Sequence, residues 1–446
     1  MRAHWFSIAI LVVGAACRPA QAPARPVRPT LEPATLTPAE AQIRDAVRIH
    51  YDSAVDLLRR SVNIASGTGN LAGVRRVGDL YSAELKSLGF ETRWVSMPDS
   101  MRRAGHLLAT RSGSGPRLLL IGHLDTVYEG AGQEWVREDT VARGAGTSDM
   151  KGGNVAIILA LRALADAGRL KDMSVIVIMT GDEESAGTPL SIARAALIDA
   201  AKASDIALAF EGGSATRAAI GRRGSSGWTL TIAARQAHSS GIFSEGTGYG
   251  AAYEGARILD EFRRTMTGER GLTFNIGVMA SGTNLVADTS GAMRVDGKSN
   301  IVPPVFRATG DLRFLTEEPK ESARVRMRAI VARPLAGAQP TITFEDRYPA
   351  MAVTTEGERL LEIFDATSRA LGYPSVGTSP PESRGAGDIS FIAPLIPGID
   401  GLGVDGAGAH SPRELVYLPS LKMSAERAAV FMSRLVDRWP RKTGSP

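Results

Sequence analysis

The sequence predicts an α/β fold: a mostly parallel sheet covered by helices, interrupted by a smaller inserted α+β domain. Three observations predict it. Short apolar runs (118–121, 175–179 and 206–210) alternate with stretches of helical spacing, the pattern of a sheet whose strands are joined by covering helices. Polar residues out of keeping with those runs stand at their carboxyl ends, where the ligands of such sheets gather. Between residues 222 and 346 the order changes to strand, helix, strand, strand, helix, strand, a βαββαβ (ferredoxin-like) unit of its own.

The first residues do not belong to either domain. Arg2 precedes an apolar stretch from Trp5 to Ala16, too short for the ~20 residues that span a bilayer and ending in small residues, as an export signal does. Cys17 is the only cysteine in the chain and follows Val13-Gly14-Ala15-Ala16 directly. That placement resembles a bacterial lipoprotein signal, in which the cysteine carries a lipid anchor to the membrane. Gly14 departs from the large aliphatic residue usual there, and Ala20-Gln21-Ala22 offers an ordinary cleavage site instead. Either way the expectation is export to the bacterial cell envelope or periplasm. Residues 18–38 are rich in Pro, Ala and Arg without apolar periodicity, which predicts an extended tether. With one cysteine, disulfides cannot hold the fold together, so its cores depend on close apolar contact, with metal as an addition.

Beyond the tether, 41–64 and 74–88 carry helical spacing, the second stopped by Gly89. A strand over 117–121, a helix over 152–167, a strand over 173–180, a helix over 189–201 and a strand over 205–210 follow. The inserted unit has strands at 228–234, 273–280, 306–314 and 341–345, and helices at 248–266 and 320–331. Residues 39–221 and 347–446 are therefore assigned to one catalytic domain, and 222–346 to a lid. The formal charge of +5 comes from scattered arginines with no dense basic block or interleaved aromatics, so nucleic acid is not an expected partner.

The chemistry lies in Met179-Thr180-Gly181-Asp182-Glu183-Glu184, where three carboxylates follow a strand that reads as buried. Crowded carboxylates repel one another and resist desolvation unless a cation neutralises them. An acidic turn in water is the plain alternative, and an isolated histidine beside a strand is ordinarily a hydrogen-bonded core residue, so the case rests on the set. His123-Leu124-Asp125 ends one strand, Asp149 lies in a glycine-rich segment from Gly144 to Gly153, and Glu211 and His410 each stand beside glycine or a small residue. Five nitrogen and oxygen donors plus a spare carboxylate suit two Zn2+ ions. The glycine-rich segment lacks the Gly-Lys-Ser/Thr ending of a phosphate cradle, and Asp149 would repel an anion.

His-x-Asp-Thr-Val at 123–127, Gly-x-Gly-x-x-Asp-Met-Lys-Gly-Gly at 144–153, the Asp-Glu-Glu triplet and Ala-His-Ser at 409–411 together resemble the signature motifs of the co-catalytic zinc metallopeptidases of the aminoacylase and glutamate carboxypeptidase family. The stretches 62–69 and 84–90 look most like its carboxypeptidase G branch. The resemblance implies that Asp149 bridges two metals, that Glu184 and His410 complete one site and that His123 and Glu211 complete the other. It further implies that Asp125 orients His123, that Glu183 is the general base for a metal-activated water, and that His238, in Gln236-Ala237-His238-Ser239, stabilises the oxyanion, reaching across from a partner subunit in dimers. Asn300 and Arg313 look like the lid's substrate-contacting residues, and Arg384 is a second candidate grip for a substrate carboxylate. The segment 282–298 is longer than the family pattern.

The expectation is thus an exported exopeptidase or amidase acting on the C-terminal amide bond of small peptides or N-acyl amino acids, with glutamate a candidate released residue and a homodimer formed through the lid. A deacylase or dipeptidase of the same family is the alternative within the enzyme class. Outside it stands a peptide-binding lipoprotein that does not cleave, which would need neither Glu183 nor His238.

Overall fold

The computed structural model describes residues 35–130, 133–288 and 292–440. The expected export signal, Cys17 and most of the expected tether lie outside them. Among the described residues no helix is long and apolar enough to cross a membrane.

The main sheet has six strands in the order Glu91–Val95, His106–Arg111, Ser174–Thr180, Arg117–His123, Ile206–Ala209, Gly398–Ile399. The last four run parallel to one another, and the first two join antiparallel at one edge. Ser174–Thr180 is buried along its whole length, which explains its unbroken apolar sequence: helices cover both faces of the sheet, so neither side of the strand meets water. Lys151–Asp166 is the central covering helix, apolar nearly all round because it lies between the sheet and the helices Pro38–Ile49, Tyr51–Val62 and Leu418–Arg438. The antiparallel strands at 91–95 and 106–111 were not read from the sequence; the first is half exposed and lacks a continuous apolar run.

Two expected helices are broken, each for a visible reason. The stretch 41–64 divides at His50, and the tether's expected last residue, Pro38, is instead the first residue of helix Pro38–Ile49, capped by Thr37. The bend keeps Val47 and Val55 both buried in one core, with the His50 imidazole 2.6 Å from Asp166 at the end of the central helix. The stretch 189–201 divides at Arg194, whose side chain is drawn fully inside between carboxylates.

The lid is a four-stranded antiparallel sheet in the order Leu272–Gly282, Val305–Phe314, Gly224–Ala234, Ala338–Asp346. Its core of Trp228, Leu230, Ile232, Phe306, Leu312 and Phe314 sits beneath helices Gly250–Met266 and Glu317–Val331, separate from the main core. Alternate residues of Val305–Phe314 are buried, as expected of a sheet with helices on one face only. In the long segment at 282–298, Asn284–Ala287 pairs antiparallel with Met293–Asp296, extending the lid's edge as a hairpin.

Candidate metal centre

The parallel strands deliver their polar residues to one end of the sheet. His123 is the last residue of its strand, the acidic turn Asp182–Glu184 follows Thr180, and Glu211 lies two residues past Ala209. Asp149 comes from the loop before the central helix and His410 from the loop after Gly406–Ala407. The first turn of the central helix approaches the end of the sheet this closely only because Gly153 has no side chain: a Cβ there would stand 2.1 Å from the Phe210 carbonyl oxygen. His410 has φ of 60°, a left-handed conformation that costs energy in a bulky residue and that clusters at functional sites.

Two triads of donors result: His123, Asp149 and Glu211, then Asp149, Glu184 and His410. Asp149 belongs to both. One of its oxygens is 3.2 Å from His123 Nε2 and the other 3.1 Å from His410 Nε2, while Glu184 Oε2 is 3.1 Å from the same His410 nitrogen. Bonds of about 2.0–2.1 Å to a tetrahedral ion set its donors roughly 3.3 Å apart, so these separations and this mixture of imidazole and carboxylate fit a pair of zinc-sized cations. Glu211 Oε1, at 3.8 Å from His123 Nε2, stands slightly farther off.

The charges are strongly coupled. Burial pushes the Glu211 carboxyl up to about 7, with His123 opposing. Burial and the neighbouring Glu211 hold the Glu183 carboxyl well above its usual range. For Asp149 burial acts upward, but the imidazoles of His123 and His410 outweigh it and hold the group well below a normal carboxylate. His410 is pushed up to about 10 by Asp149 and Glu184. Lys151, fully buried with its ammonium 2.9 Å from the Ile64 carbonyl, is pushed down to about 7 by burial.

Asp125 does more than orient His123. The nearer partner of His123 Nδ1 is the Asp125 main-chain carbonyl at 3.0 Å, with the carboxylate at 3.5 Å. That carboxylate accepts the main-chain N–H groups of Glu183 (3.0 Å) and Glu184 (3.1 Å) and the Thr68 hydroxyl (2.7 Å), so it also holds the acidic turn. Asp182, which had no assigned role, is fully buried and paired with Arg194 at 2.7 Å. Glu183 belongs to neither triad.

Two cavities meet at Glu183, Ala386 and His410. One, of about 420 Å³, is lined by Asp149, Glu183 and Glu211 together with Arg222 and Arg384; the other, of about 820 Å³, runs between the domains past Glu184, Arg313, Arg347 and Tyr348. Among the described residues the Arg384 guanidinium donates one bond, 3.3 Å long, to the Gly212 carbonyl, whereas Arg313 is already paired with Asp311 at 2.6 Å. Asn300 and His238 line neither cavity. Asn300 is exposed and accepts the Ser239 N–H at its carbonyl; His238 is exposed on a two-residue strand, its Nδ1 bonded to Ser240, and the structure does not bring it to the triads.

Sequence reasoning missed Glu414. Buried four residues after His410, it accepts N–H groups from Gly146 (2.9 Å), Ser148 (2.9 Å) and Asp149 (3.0 Å) and the Ser148 hydroxyl (3.1 Å), tying the Asp149 loop to the His410 loop. Its nearness to the Ala-His-Ser motif was the one available signal.

The model of peptidase family M20/M25/M40 matches residues 119–434 of the chain. Carboxypeptidase G2 from Pseudomonas sp. (strain RS-16) is 28% identical over 390 residues, covering 84% of this chain and 88% of that protein. Among solved structures, aminopeptidase PepT from Bacillus cereus is similar with a TM-score of 0.68 at 19% identity, over 86% of this chain and 98% of that one. The YXEP protein of Bacillus subtilis, described as a dinuclear metal binding peptidase, is similar with a TM-score of 0.59 at 15% identity, over 87% and 99%.

Proposed function

The chain belongs to peptidase family M20/M25/M40 and is a hydrolase, and from that premise we propose that it is a zinc-dependent exopeptidase or amidase that cleaves the C-terminal amide bond of small peptides or N-acyl amino acids. His123, Asp149 and Glu211 would hold one cation, and Asp149, Glu184 and His410 the other. When bound, the pair supplies Lewis acidity that polarises the scissile carbonyl and lowers the pKa of water towards neutrality.

The observation that carries the reading is the position of Glu183. It lines both cavities, contributes to neither triad and has its main-chain N–H fixed by Asp125. There its carboxylate takes the proton from the attacking water and returns it to the leaving amine. Arg384, with few partners and facing the first cavity, grips the carboxylate of the released residue, and an acidic residue such as glutamate suits the arginines around it. His238 steadies the oxyanion after the lid closes or from a partner subunit of a homodimer. The protein works outside the cytoplasm, held by a lipid on Cys17; Cys17→Ser would then move it from the membrane to the soluble exported fraction.

The test is Glu183→Ala beside wild type, assayed with added zinc on N-benzoyl-L-glutamate, L-alanyl-L-glutamate and N-acetyl-L-alanine, with free amino acid scored by mass spectrometry. The variant should keep both metals and lose most turnover. Loss of metal from the variant, or full activity, would overturn the assignment.

A further inference from the structure

Proton transfer tolerates little misplacement, and a shift of 1 Å can cost a hundredfold in rate, so what holds the Glu183 main chain matters. Its N–H is held by Asp125, within the catalytic domain. Its carbonyl is held from elsewhere: the Tyr348 hydroxyl donates to it at 2.8 Å.

Tyr348 lies just past Ala338–Asp346, on the segment by which the chain leaves the lid. That segment is cross-bonded to the one by which it enters. The Ser225 N–H donates to the Tyr348 carbonyl at 2.7 Å, and Arg222 and Met351 exchange main-chain bonds of 3.0 and 3.1 Å. The lid's root is therefore attached directly to the turn that carries the base.

Arg194 gives the tyrosine hydroxyl its direction. A guanidinium can only donate, so the Arg194 Nη2 contact at 3.2 Å uses the hydroxyl oxygen as an acceptor and leaves its single proton for Glu183. Arg194 is itself fixed: Nη1 is 2.7 Å from Asp182 Oδ1, Nη2 is 3.2 Å from the Asp182 carbonyl, and Nε is 2.8 Å from Asp388 Oδ1. The other Asp388 oxygen accepts the Thr180 hydroxyl at 2.6 Å. The residues before and after Gly181 are thus both tied to one buried guanidinium, and Glu183 is tied to it through Tyr348.

We propose that Tyr348 is a positioning residue for Glu183, fixing the main chain of the base from the root of the lid. The inference rests on Glu183 acting as the base. Apart from this hydroxyl, the Tyr348 ring packs tilted against Phe391 with centroids 4.9 Å apart, a contact that phenylalanine preserves. Tyr348→Phe consequently isolates the hydroxyl.

The experiment compares wild type, Tyr348→Phe, Glu183→Gln and the double variant, all loaded with zinc, on whichever of the three substrates above the wild type turns over fastest. Tyr348→Phe should lower kcat roughly tenfold or more, with KM and bound zinc unchanged, and hydrogen–deuterium exchange should speed up in the peptide spanning residues 181–187. In the Glu183→Gln background the same change should cost nothing further. An unchanged kcat, a rise in KM alone, or equal losses in both backgrounds would overturn the proposal. Full turnover by Glu183→Gln would instead remove the base assignment on which it rests, and that outcome is read from the single variant alone.

Discussion

Replacing Glu414 with alanine removes one carboxylate that serves four donors, three main-chain N–H groups and a hydroxyl. Glu414 is only 2% exposed, so the donors it leaves behind are not returned to bulk water. Each unsatisfied buried group costs about 1–3 kcal/mol, and if a water entering the vacated space serves two of the four, roughly 2–6 kcal/mol of stability is lost. Relief from burying a carboxylate, which burial pushes above its usual pKa, places the expectation in the middle of that range, about 4 kcal/mol. The same change releases the main chain of Asp149, so cation affinity should fall by about 10–100-fold, the usual cost of losing a group that orients a ligand. Urea unfolding of the metal-free protein, followed by circular dichroism, measures the first effect; zinc titration against a chelator measures the second. Glu414→Gln keeps one acceptor oxygen but turns an amide NH2 towards main-chain donors, and should fall between. An alanine variant that unfolds at the wild-type urea concentration and binds zinc as tightly would refute the reasoning.

Asp149→Ala should lose both cations together because Asp149 stands in both triads; one zinc remaining at full occupancy by metal analysis would show that it is not shared. Zinc binding should weaken as pH falls through the neutral range, since the His410 imidazole, raised from 6.5 to about 10, must give up its proton to bind metal; flat affinity between pH 6 and 8 would count against this. The sign for the metal-free fold is opposite: the raised pKa contributes stability that is complete below pH 6.5 and lost as pH rises through about 10, which denaturation across that range would detect. His238→Ala should bind zinc normally while turnover falls roughly a hundredfold, the size of losing an oxyanion donor. If a partner subunit supplies the histidine, mixing that variant with Glu184→Ala restores activity; no recovery after verified subunit exchange places the function within one chain.

The alternation of strand and helix, the inserted unit and the candidate ligands were legible in the sequence because each has a local signature. A strand buried on both faces must be apolar along its interior, as 175–179 is, and the residues that follow it must then sit at the carboxyl end of the sheet's strands, whatever the rest of the chain does. His123, Asp149, Glu183, Glu184, Glu211 and His410 were found as a set through short motifs that resemble those of a known metallopeptidase family. The antiparallel edge strands escaped notice because Glu91–Val95 is half exposed and carries no continuous apolar run. Helix breaks at His50 and Arg194 were hidden for another reason: at both, the side chain meets a partner far along the chain, Asp166 and Asp388, and local helical spacing carries no trace of them. The same holds for the groups that aim the site. Glu414 lies 265 residues from the Asp149 N–H it accepts and Tyr348 lies 165 from the Glu183 carbonyl it holds. The sequence by itself determined which residues are the candidates for binding metal and moving a proton. Only the tertiary structure decided what holds them in place, because a buried hydrogen bond depends on the direction and desolvation of two groups that no local pattern brings together.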